Sequence, residues 1–106
     1  MARVIVEQVF DPPMSEEDYA EFAKRIDPCL LVRNAMWRRS YVSHDKRRMT
    51  CEFDAPDAGA VREAMRSAGL KFERVWAAEV FAVEDYPDLM DKLKNVLALR
   101  GEALPH

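Results

Sequence analysis

Two runs of strand-forming residues, 34–43 and 48–54, are separated only by the polar tetrad His44-Asp45-Lys46-Arg47. A break that short implies an antiparallel hairpin, and pairing Ser43 with Arg48 sets its register. The second run passes through Ala55 and Pro56 into a segment with Val61, Ala64, Met65 and Ala68 on one helical face. The hairpin is therefore followed directly by a helix. Few architectures accommodate that succession in so short a chain.

The flanking segments complete the pattern. Residues 3–10 are rich in Val and Ile and predict a strand, stopped by Asp11-Pro12-Pro13 because two prolines cannot extend a ladder. Ser15 is placed to cap a helix, with Asp18 three residues on as in a capping box and Glu16 and Glu17 favouring the positive end of the dipole. Tyr19, Phe22, Ala23 and Ile26 then recur at helical spacing, and Pro28 closes that helix or kinks its last turn. Gly69 stands where a left-handed residue should end the second helix, with Leu70 able to touch Met65. Residues 72–83 predict a last strand. The order is βαββαβ, the ferredoxin-like plan: an α+β fold with a four-stranded antiparallel sheet and two helices on one side. Residues 1–83 form this domain, and residues 84–106 form a C-terminal extension. In the extension Pro87 opens a helix, Leu89, Met90, Leu93, Val96 and Leu97 line it, and Gly101 ends it.

Composition narrows the functional classes. A third of the 106 residues are charged with a net of −3, which argues against a nucleic-acid binder despite Arg38, Arg39 and the basic hairpin tip. No apolar run approaches the roughly 20 residues that span a bilayer. Met1-Ala2-Arg3 leads straight into Val4-Ile5-Val6 without a signal-peptide pattern, so a cytoplasmic protein with free thiols at Cys29 and Cys51 is expected.

The predicted register assigns side chains to sheet faces. Met36, Val42, Met49, Cys51 and Phe53 fall beneath the helices, and Trp37, Arg39, Tyr41, Thr50 and Glu52 fall on the open face. Glu7 from the first strand and Arg74 or Trp76 from the fourth join that second face. An open face bearing Trp37, Tyr41 and Trp76 predicts a homodimer that covers it. A chamber so formed suits a small ligand held by Trp37, Arg74 and Trp76. It also suits a cofactor-independent isomerase or cyclase, with Glu7 or Glu52 as base, Arg39 or Arg74 as anion stabiliser and Tyr41 as proton donor. Against both stands a plain cross-strand Arg39–Glu52 pair, worth about 0.2–1 kcal/mol. Arg38 conflicts with this register, which puts a guanidinium among apolar groups unless the strand lies at a sheet edge or slips by one residue.

Several segments together resemble the nickel-responsive, ferredoxin-like family of small bacterial proteins. They are Val6-Glu7-Gln8, Cys29, Trp37, Ser40-Tyr41-Val42-Ser43-His44-Asp45, Cys51-Glu52-Phe53-Asp54-Ala55-Pro56-Asp57, Ala60-Val61-Arg62 and Ala68-Gly69-Leu70. The resemblance spans about residues 4–81 and implies a ferredoxin-like fold, a dimer of the α+β barrel type, and a connection to nickel. On that implication His44, Cys29 and Cys51 become metal candidates, since nickel favours imidazole, thiolate or tetragonal nitrogen and oxygen donors. The second histidine, His106, is C-terminal. The helix after Asp85 lies beyond the resemblance.

Overall fold

The computed structural model describes residues 1–101, the side chains of Met90 and Arg100 excepted. Four strands and two helices alternate as β1 Ala2–Val9, α1 Glu16–Leu31, β2 Met36–Val42, β3 Arg48–Ala55, α2 Ala58–Ser67 and β4 Arg74–Ala78. A 3₁₀ turn at Val83–Asp85 and helix α3, Pro87–Arg100, follow. The strands form one sheet in the order β2-β3-β1-β4, and every neighbouring pair is antiparallel. The βαββαβ plan is the expected one. No described helix is long and apolar enough to cross a membrane.

Local chemistry explains the helix boundaries. Ser15 Oγ accepts from the Asp18 amide at 3.2 Å while an Asp18 carboxylate oxygen accepts from the Ser15 amide at 2.8 Å, a complete capping box. Helix α1 runs through Pro28 to Leu31 rather than closing there. Helix α2 is capped by Asp57, whose carboxylate accepts from the Ala60 amide at 2.8 Å, so Pro56 stands just outside the first turn. At its far end Leu70 N–H donates to the Met65 carbonyl and Gly69 N–H to that of Arg66, with Gly69 at φ +68°. This is a Schellman ending, and the left-handed backbone is why glycine occupies it.

The sheet departs from expectation at two places. Strand β4 stops at Ala78, well short of residue 83, because Ala78 pairs with Arg3 and β1 has only Ala2 beyond that to offer. The hairpin register holds from Arg39↔Glu52 to Val42↔Met49, but a bulge then places Trp37 opposite Phe53 and Met36 opposite Asp54. The extra residue is Arg38. A bulge reverses which face the later residues meet, so Trp37 turns under the helices and Met36 turns outward. β2 is an edge strand, where such an irregularity costs least.

The core fills the space between the sheet and α1 and α2. Val4, Val6, Met49, Cys51 and Phe53 contribute from below, Phe22, Ile26, Leu30, Val61 and Met65 from above. Trp37 meets Phe22 edge-on at 5.1 Å between centroids and stacks near Phe53 at 6.5 Å. Its indole N–H donates to Ser40 Oγ at 2.8 Å, so the half-buried ring packs against the core without orphaning its polar end.

Candidate functional site

Strand alternation sends the other half of each strand to the open face, and the register arranges these residues in rows across the sheet. One row reads Tyr41, Thr50, Glu7 and Arg74; the next Arg39, Glu52, Ile5 and Trp76; the third Met36, Asp54, Arg3 and Ala78. The adjacent placement of Glu52 and Arg3 in neighbouring rows allows a continuous ion-pair chain. Arg3 Nη1 lies 2.8 Å from Glu52 Oε2 and its Nε 3.0 Å from Asp54 Oδ1. Arg39 Nε approaches the same Glu52 oxygen at 3.3 Å, and the bulged Arg38 approaches the other Asp54 oxygen at 3.3 Å. Glu52 side-chain exposure is only 17% against 59% for Arg39, so the carboxylate is held beneath a guanidinium that still reaches solvent.

The aromatic component lies beside this chain. Trp76 Nε1 donates to Glu7 Oε2 at 2.9 Å, which tilts the indole across the row boundary while much of its ring stays exposed. Tyr41 is exposed on the far strand. Arg3, Arg39, Tyr41, Glu52 and Trp76 line a cleft of about 370 Å³, and the segment after β4 supplies its remaining wall through Glu79, Val80, Ala82 and Glu84. A second cavity of about 760 Å³ continues from Glu7, Arg74 and Trp76 along the β4 edge to Arg62 and Phe72.

Of the residues singled out from sequence, Glu7, Arg39, Tyr41, Glu52, Arg74 and Trp76 share this face. Trp37 does not: the Arg38 bulge tucks it into the helix-side core, and it cannot reach a ligand on the open side. The metal candidates lie elsewhere and apart. His44 is exposed in the β2–β3 turn, Cys29 is half-buried in the last turn of α1, and Cys51 is fully buried in mid-β3. Burial pushes the Cys51 thiol up to about 11, against a smaller opposing effect of the Ser40 hydroxyl that donates to its sulfur at 2.9 Å. In this fold Cys51 is packed as a core residue. His106 lies outside the described residues.

The residue that sequence reasoning missed is Arg3. It joins Glu52 to Asp54 and is the centre of the network. Its signal was available, since Arg3, Ile5 and Glu7 share strand parity, and an arginine on the parity of a candidate carboxylate belongs in the same set. Asp54 carried the same signal, since it shares the parity of Thr50 and Glu52 on β3, whereas the Glu79–Glu84 wall had none because it depends on where β4 ends.

The comparisons agree with the architecture. Residues 4–77 match the family described as nickel responsive protein SCO4226-like. The crystal structure of SCO4226 from Streptomyces coelicolor A3(2) superposes with a TM-score of 0.69 at 14% identity, covering 76% of this chain and 100% of that one. No curated protein matches the chain significantly. With its family match spanning residues 4–77, nearly all of the sheet and both packed helices, the chain belongs to the nickel-responsive SCO4226-like family.

Proposed function

We propose that this protein is a small-ligand-binding module whose site is the open sheet face, closed by a second copy into a barrel-type chamber. One observation carries the reading: the exposed Arg39 guanidinium lines one cleft of about 370 Å³ together with Tyr41 on its own strand and Trp76 on the opposite edge of the sheet. Arg39 uses only Nε on Glu52, which leaves its two terminal nitrogens to donate to a ligand's carboxylate or similar acceptor. A planar organic molecule with one such acceptor would stack on the aromatics and receive those bonds. A second copy supports the site by excluding water and covering aromatic surface that a lone sheet leaves wet.

Nickel enters through the family description. Among the described residues no three His, Cys, Asp or Glu side chains come together as a metal-binding group. The described residues of one chain therefore do not fit a nickel ion by themselves. The catalytic alternative, with Glu7 or Glu52 as base, has less support: Glu52 accepts from Arg3 and is ion-paired with Arg39, and Glu7 accepts from the Trp76 indole, so both are already engaged.

Trp76 reports on the site because the other tryptophan, Trp37, is packed under the helices. Titration with benzoate, a minimal planar carboxylate, and separately with nickel(II) chloride should be followed by tryptophan fluorescence. Saturable quenching by benzoate, lost in Trp76→Phe and weakened in Arg39→Ala, is expected. Saturation by nickel alone, or a sheet face unresponsive to either probe, would overturn the organic-ligand reading.

A further inference from the structure

The segment after β4 departs from the compact domain. Among the described elements, helix α3 approaches the 3₁₀ turn at Val83–Asp85 and no strand or other helix. A 106-residue domain has a radius of gyration of about 13 Å; here it is 17.0 Å, with a long axis of 50 Å. Leu97 is buried, but Leu89 and Val96 on the same helix remain exposed. The family match ends at residue 77, and all of the SCO4226 structure is covered by 76% of this chain. The arm is an addition to the shared domain.

A surface of matching character lies at the opposite edge of the sheet. Leu31, Val32 and Met36 are 79%, 77% and 57% exposed, and the groove of about 490 Å³ beside them is lined mainly by apolar groups from the end of α1 and the start of β2. The register relates this patch to the arm. Met36 pairs with Asp54, Asp54 with Arg3 and Arg3 with Ala78, so the patch and the arm's root share one end of the sheet, on opposite edges. Charge agrees: residues 79–91 hold five acidic and no basic residues, whereas Arg33 and Arg38 flank the patch.

We propose that α3 of one copy docks on the Leu31–Val32–Met36 patch of a second copy, reciprocally, so that the two arms fasten the dimer. This rests on the face-to-face dimer of the preceding section. In such a dimer a two-fold axis parallel to the strands sets β4 of one copy over β2 of the other and keeps their ends aligned. Ala78 then faces the second copy's Met36 across about 10 Å, the spacing of stacked sheets. The eight residues between Ala78 and Pro87 reach about 26 Å when extended, which is ample. The helix would bring Leu89 and Val96 onto the exposed aliphatic groups and its acidic first turns toward the two arginines.

The test uses full-length chains in a Cys29→Ser background. A tagged Met36→Cys chain is mixed with an untagged Leu89→Cys chain, oxidised, and resolved on a non-reducing gel, while sedimentation velocity gives the oligomeric state. The expected result is a dimer in which tagged and untagged chains cross-link at least tenfold more than a control pairing of Leu89→Cys with Lys46→Cys at the far end of the sheet. Leu31→Glu with Val32→Glu, both on exposed positions, should weaken dimerisation at least tenfold. A dimer without that cross-link and without that weakening overturns the arm's docking and leaves the face-to-face dimer standing. A monomer at all accessible concentrations overturns both.

Discussion

The two faces of this one sheet are built from the same strands, yet they follow different rules. On the helix side Val4, Val6, Met49, Cys51 and Phe53 are sealed by α1 and α2, and the polar groups there are satisfied internally, as Trp37 is by Ser40. One exception is the buried Gln8, whose Nε2 donates to the Lys71 carbonyl at 2.9 Å while its Oε1 has no partner. On the open side Arg3, Glu52, Asp54, Arg38 and Arg39 hold one another in a charged chain beside exposed Trp76 and Tyr41. The contrast teaches that hydrophobic burial secures the fold from one side only. The other side is free to carry charge and aromatic surface, and its ion pairs order that surface more than they stabilise the chain.

Substitution of matched residues on the two faces measures the contrast. Phe53→Ala should cost about 3–5 kcal/mol, since the ring is fully enclosed and its cavity cannot collapse. Tyr41→Ala, exposed on the same hairpin, should stay within about 0.5 kcal/mol in urea melts of the isolated chain. Equal losses would show that the open face is as buried as the core. The two tryptophans repeat the comparison: Trp37→Ala should lose about 3 kcal/mol and Trp76→Ala under about 1 kcal/mol by the same measurement.

Cys51 gives the comparison a pH axis. Its thiol holds its proton to about 11 in the folded chain against 9.0 for an unperturbed group, chiefly because it is buried. Between those values the unfolded chain binds fewer protons than the folded one, so stability falls as pH rises. The contribution is intact below pH 9 and declines by up to about 3 kcal/mol as pH passes through 11. Cys51→Ala should flatten that limb of the pH–stability curve, and a thiol reagent at pH 8 should modify Cys29 alone until urea is added. Reaction of both thiols without denaturant would show that the helix side opens readily.

Arg3→Ala strikes the open face at its most connected point. It leaves two partly buried carboxylates short of a donor and should cost about 1–2 kcal/mol, more than any exposed pair on the surface. Gly69→Ala should cost less than Arg3→Ala, at about 1 kcal/mol, from forcing φ +68° on an L-residue. The new Cβ would stand 2.6 Å from an Arg25 guanidinium nitrogen, the flexible end of a side chain that can move aside. A larger loss at Gly69 than at Arg3 would mean that helix ends outweigh the charged chain.

Much of this was legible in the residues because it depends on local rules. The capping box at Ser15 and Asp18, the glycine ending at Gly69, the Pro87 opening and Gly101 ending of α3, and the Ser43–Arg48 turn follow from short-range chemistry. Alternation then placed Glu7, Arg39, Tyr41, Glu52, Arg74 and Trp76 on one face. The reading failed at Trp37, and Arg38 had marked the fault: a guanidinium in an apolar position conflicted with an unbroken strand. Whether that conflict resolves as a slip, an edge or a bulge depends on the room beneath α1, which no local pattern records. The end of β4 was similarly hidden, since it is set by where β1 runs out of partners.

Sequence by itself determined the order of the elements, their caps and the parity of most strand residues, because hydrogen-bond geometry and side-chain alternation act over a few residues. Tertiary structure alone decided that one extra residue at Arg38 would bury Trp37 against Phe22 and Phe53, and that Arg3 would join Glu52 to Asp54. Those outcomes turn on contacts between separate segments, about fifteen positions apart for Trp37 and about fifty for Arg3, where packing volume and charge proximity, rather than propensity, select the arrangement.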